Sequence, residues 1–185
     1  MAINQNIQTF YKTAQNRDFS RDFLFRVTQM VGVGLPTLND DDFVYIKAAK
    51  LPGRVIENVN ASYMGLKFNI PGAVTYEGSD AYDIEFYLDS VSNDLRLRFE
   101  AASRQIFDDA VSTGQYNTPG VSNLIQLVQL NKDLTPLGPD NIYTLVGAQL
   151  RKIDPIEYKI AEGKGDVMTM KATMAYHYYV VGAGL

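Results

Sequence analysis

The chain has 185 residues, 46% of them hydrophobic, and a formal net charge of −4, which is the composition of one folded domain rather than a disordered segment. The mild acidity and the lack of any basic stripe exclude a protein that grips nucleic-acid phosphates. With no cysteine in the sequence, disulfides, thiolate metal sites and a thiol nucleophile are excluded as well.

The first residues, MAINQNIQTFYK, contain no long apolar stretch, so no secretory signal is expected there. No apolar run approaches the ~20 residues of a membrane helix. Tyrosine (12) and phenylalanine (9) are abundant and tryptophan is absent, a pattern suited to a β-rich protein that associates.

Ile3, Ile7, Phe10, Tyr11 and Ala14 recur at helical spacing and predict a short amphipathic helix or arm. Such a helix is marginal alone below ~12–15 residues, so it must dock on its own body or on a neighbour. Residues 23–30 predict the first strand, with Phe23, Phe25 and Val27 alternating with Leu24, Arg26 and Thr28. VGVGLPTLNDDD is loop-like, and Asp40, Asp41 and Asp42 lack the ligand spacing of a calcium loop, so they read as a solvated turn.

Residues 43–89 organise the chain and read as three strands joined by two loops, leading directly into a helix. Met64, Leu66, Phe68 and Ile70 fall on one face, opposite Tyr63, Gly65, Lys67 and Asn69. Tyr82, Ile84, Phe86 and Leu88 alternate with Asp83, Glu85, Tyr87 and Asp89. Residues 71–81 read as a long loop. A helix is expected over 93–112, capped by Asn93 or Ser92, with Leu95, Phe99, Ala102 and Ile106 as its apolar stripe, a Glu100–Arg104 pair, and Gly114 as its stop. Asp108 and Asp109 would oppose its dipole. Strands follow at 123–130 and 142–153, with Gly147 marking a bulge or close backbone approach. The last strand carries Met168, Met170, Ala172, Met174, Tyr176, Tyr178 and Val180 on one face.

The expected class is mainly β: an antiparallel β-sandwich or barrel with one packed α-helix. The expected layout is an N-terminal arm (1–22), a β-domain (23–181) and a flexible tail (182–185). No catalytic, metal or cofactor site is expected. His177 is the single histidine and has no partner set for a triad or zinc site. EGKGD lacks the spacing of a phosphate loop, and the GVG at 32–34 precedes no helix.

The ordered run "KAAKLPG", "VIENVNASYMGLKFNIPGAV", "YDIEFYLD" and "SNDLRLRFE" resembles the tail tube proteins of contractile-tailed bacteriophages of the T-even kind. The C-terminal "YTLVGAQLRKIDPIEYKIAEGKGDVMTMKATMAYHYY" is similar in pattern, so the resemblance covers most of 19–179. Tryptophans expected in or after the helix and near the C-terminus are missing; Phe107 and Tyr178 or Tyr179 stand nearby.

The resemblance implies a structural virion protein, not an enzyme. Its hexameric rings would stack into the inner tube within a contractile sheath, with sheath, tape-measure and baseplate proteins as partners, DNA passing without tight binding, and no membrane anchoring. A baseplate or neck tube-capping protein, or a contractile bacteriocin-type tube, shares that fold. A monomeric β-barrel binding a small ligand is the reading from another class. An acidic lumen wall would repel phosphate, and Asp83, Glu85 and Asp89, with Glu57, are the candidate lumen-facing residues.

Overall fold

The computed structural model describes residues 7–17, 20–89, 94–114, 120–159 and 165–182. In chain order the elements are α1 (Ile7–Arg17), β1 (Phe25–Val31), β2 (Ile46–Ala49), β3 (Val55–Tyr63), β4 (Leu66–Thr75), β5 (Tyr82–Tyr87), α2 (Asp94–Ile106), β6 (Phe107–Asp108), β7 (Thr113–Gly114), β8 (Leu124–Gln129), β9 (Ile142–Val146), β10 (Gln149–Ile153), β11 (Thr169–Ala175) and β12 (Tyr178–Val181).

Two antiparallel four-stranded sheets carry the body, one ordered β1-β8-β9-β12 and the other β10-β11-β5-β2. They enclose the main core, and a small second cluster of Leu24, Val128 and Leu130 lies apart from it. Ile125, Leu127 and Leu145 come from the first sheet, Ile84, Phe86 and Met170 from the second, and Leu95, Phe99 and Ala102 from α2. The expected sandwich with a packed helix is present; the sheets do not close into a barrel.

Strand β5 follows its sequence pattern, with Tyr82, Ile84 and Phe86 buried and Asp83 and Glu85 on the outer face. In α2 the stripe Leu95, Phe99, Ala102 is buried, and Phe99 meets Phe86 edge to face at 5.1 Å. The helix ends six residues earlier than its periodicity suggests, because Phe107–Asp108 turns back to pair with Thr113–Gly114. Asp108 therefore lies beyond the helix and accepts from the Ala110 N–H, and Gly114 belongs to a strand. Glu100 pairs backward with Arg96 at 2.8 Å, not forward with Arg104. Asn93 and Ser92 lie outside the described residues, as do 183–185 of the expected tail.

In β1 a bulge between Val27 and Gln29 resets the alternation, so Val27 and Met30 are both buried; ahead of the strand, Leu24 is buried and Phe23 exposed. Asp42 is no solvated turn residue: it binds the Arg98 guanidinium at 2.5 Å and accepts from the Asn39 N–H.

Two expected single strands each split between the sheets. The chain leaves β9 at Gly147 and re-enters the other sheet as β10; it leaves β11 at Tyr176–His177 and returns as β12. The crossings are side by side, with the His177 N–H donating to the Val146 carbonyl. Gly147 has φ +70, and a Cβ there would meet the His177 ring at 2.0 Å. The expected close approach at Gly147 is real, and the single histidine covers it.

Asn123 pins the first crossing from below. It is 2% exposed, and its carbonyl accepts from the N–H groups of Gly147 and Ala148. Its side-chain amide donates to the carbonyls of Val33 and Ala148, and its side-chain oxygen accepts from the Val33 N–H. One buried side chain thus ties the 32–35 loop to the point where the chain changes sheets.

Candidate assembly surface

Strands β3 and β4 belong to neither sheet. They pair only with each other, joined by the two-residue turn Met64–Gly65. Strand β4 runs through Thr75, so only residues 76–81 of the expected 71–81 loop turn the chain.

Directly opposed residues share a face, and the register pairs Val59 with Ile70, Ala61 with Phe68 and Tyr63 with Leu66. Asn60 with Asn69 and Ser62 with Lys67 make the other face. The ribbon is amphipathic, as its alternation predicts, but the turn moves Tyr63 to the apolar side and lifts Met64 out of it. The more consequential departure is exposure. Val59, Tyr63, Leu66, Phe68 and Ile70 remain between 48% and 69% exposed. At ~200 Å² per large side chain this leaves on the order of 500 Å² of apolar surface on one face. A two-stranded ribbon is marginal alone in water. Covering that face would stabilise it by roughly 10 kcal/mol at ~25 cal/mol per Å², before association costs.

The turn carries a second sign. Met64 and Gly65 have φ of 48° and 79°, as a tight hairpin of matching twist requires. Asparagine or glycine occupies such a position cheaply; a methionine there costs ~1–2 kcal/mol. Its side chain is 85% exposed, so nothing among the described residues repays that cost.

The four candidate acidic residues sit on different elements. Asp83 and Glu85 are neighbours on the outer face of β5, Asp89 lies two residues past its end, and Glu57 is on the separate hairpin, accepting from the Thr75 hydroxyl. The β5 face is not simply acidic. Asp83 accepts from Lys171 Nζ and Thr173 Oγ1, both at 2.8 Å, and Glu85 pairs with Lys47 at 3.1 Å. The hydrogen bond from Lys171 is the main cause that holds the Asp83 carboxyl below its usual range, and the reciprocal bond raises Lys171.

A depressed carboxyl contributes stability that is present above its unfolded pKa and is lost as pH falls through the folded value. In a Lys171→Met variant the Asp83 midpoint, followed by carboxyl NMR, should move up toward the ordinary range. Acid unfolding should then begin at a higher pH. An unchanged midpoint would remove the pairing as the cause.

Among the described residues no cluster of three or more His, Cys, Asp or Glu could hold a metal, and no helix is long and apolar enough to cross a membrane.

No family model matches the chain, and no curated protein matches it by sequence. Solved structures do match. A chain of the anti-feeding prophage baseplate, in a six-fold symmetrised structure, aligns over 90% of this chain and 98% of its own, with TM-score 0.59 and 14% identity. A chain of the extended sheath–tube complex of an extracellular contractile injection system aligns over 94% and 97%, with TM-score 0.52 and 12% identity. A chain of the tube-terminating cap of the anti-feeding prophage aligns over 91% and 93%, with TM-score 0.52 and 10% identity. At these identities the shared property is the fold, and it extends over nearly the whole of each chain.

Proposed function

We propose that the chain is a structural subunit of a contractile phage tail or related injection particle, polymerising as stacked hexameric rings of the inner tube. The observation that carries this reading is the uncovered apolar face of the β3–β4 ribbon, whose strands belong to neither sheet and whose side chains take no part in the buried core. Such a surface is a hazard on a monomer and a joint in a polymer. The likeness of fold to chains of a baseplate, a sheath–tube complex and a tube cap supports the particle type. Sheath, tape-measure and baseplate proteins would be its partners, the virion its location, and its role structural rather than catalytic.

A baseplate or tube-capping role is the second reading, favoured by the baseplate and cap likenesses. Negative-stain micrographs of the concentrated protein separate the two. Hollow rods support the polymerising tube, isolated six-fold rings support the cap, and featureless monomers oppose both.

Within this reading, the β5 outer face lines the conduit, and its lysine–carboxylate pairs keep it from gripping DNA. An Asp83→Asn, Glu85→Gln variant would leave Lys47 and Lys171 uncompensated. It should retain DNA in a salt-dependent way that the native chain does not. Equal retention by the two at low salt would take this face out of the conduit.

A further inference from the structure

Met64 and Leu134 are the two bulky apolar residues held at positive φ among the described residues, and both are exposed, at 85% and 64%. The Leu134 turn is firmly built: its N–H donates to the Asn131 carbonyl at 2.9 Å, and Thr135 Oγ1 donates to Asp133 at 2.7 Å. A leucine at φ 63° gains nothing locally from its position. Strain kept at an exposed apolar residue points to a contact made elsewhere.

Leu134 stands on the rim of a groove of about 590 Å³. The groove lies where β1 and β2, each the outermost strand of its sheet, leave the sandwich open. Phe23, Phe25 and Val44 share the lining with it, and Phe43 and Leu130 lie deeper. Asp22, Arg26 and Lys47, the last paired with Glu85, give the lining mixed charge, so what it offers the hairpin turn is its apolar surface.

We propose that this groove receives the hairpin turn of a second copy of this chain, with Met64 entering it. The inference rests on the self-associating reading above and names the partner surface. One chain carries a convex strained apolar tip and a concave strained apolar rim, and both stay exposed among the described residues. A head-to-tail contact satisfies both in every copy, and such contacts propagate into rings or filaments.

The 185-residue sequence has no cysteine, so engineered thiols report cleanly. Val44 is 74% exposed, so neither Val44→Cys nor Met64→Cys disturbs the core. Mixed under oxidising conditions, the two single variants should give a disulfide-linked heterodimer, while each alone gives little covalent dimer. Leu134→Gly in the Val44→Cys chain should lower the yield at least about fivefold, as loss of an anchor residue does, while raising the melting temperature. Three results would overturn the proposal: no heterodimer, covalent homodimers from Met64→Cys alone, or an intramolecular link in the dilute double variant. Rods without the cross-link would reject this joint and leave the tube reading intact. The cross-link without rings or rods would keep the joint and reject the tube.

Discussion

A Leu66→Asp, Phe68→Asp variant is expected to fold and melt like the native chain but to remain monomeric. Both side chains are about half exposed or more on the β3–β4 ribbon, so the two charges enter no packed core. In an assembly they would replace two buried apolar side chains worth ~1.5–3 kcal/mol each. The combined loss weakens each joint by roughly 10²–10⁴-fold. Light scattering at matched concentration reads this, with a thermal melt alongside. Met64→Asn sharpens the point because its two effects have opposite signs. It should relieve the positive-φ cost and raise monomer stability by ~0.5–1 kcal/mol, yet weaken association. A variant that loses stability and assembly together would mean the turn serves folding alone.

Asn123→Ala is expected to cost ~2–4 kcal/mol, because it strands the Ala148 carbonyl in a buried site and removes two part-buried hydrogen bonds to the Val33 N–H and carbonyl. For a chain of this size that is a fall of about 10 °C in Tm. Asn123→Asp tests the cause. The carboxylate keeps the shape and can still accept from the Val33 N–H, but it cannot donate to the two carbonyls and sets a negative charge against them, so it should not restore the lost stability. A native-like melt for the aspartate would show that shape, not donation, holds the crossing.

The parts of the fold that were legible from sequence are those whose signal is local. The alternation of Tyr82, Ile84 and Phe86 and the stripe of Leu95, Phe99 and Ala102 each report a buried face, and both are buried. The alternation from Met168 to Val180 runs unbroken through Tyr176–His177, so it hid a change of sheet. Only Gly147 hinted at the matching crossing, and Asn123, an ordinary loop residue by type, gave no hint that it holds it. The hairpin was readable as an amphipathic strand pair, but periodicity says that a face is apolar, not what covers it. Its Met64–Gly65 turn lacks the asparagine or aspartate that flags a two-residue hairpin. The acidic residues were read without their partners because Lys47 and Lys171 reach Glu85 and Asp83 only through sheet pairing.

Sedimentation velocity of the native chain over a wide concentration range tests the central claim most directly, since the claim is that the ribbon is covered by another copy. The account predicts a shift from the 20.7 kDa monomer to ring-sized or larger species as concentration rises, abolished by Leu66→Asp, Phe68→Asp. A 20.7 kDa species that persists unchanged to the highest soluble concentration would contradict it.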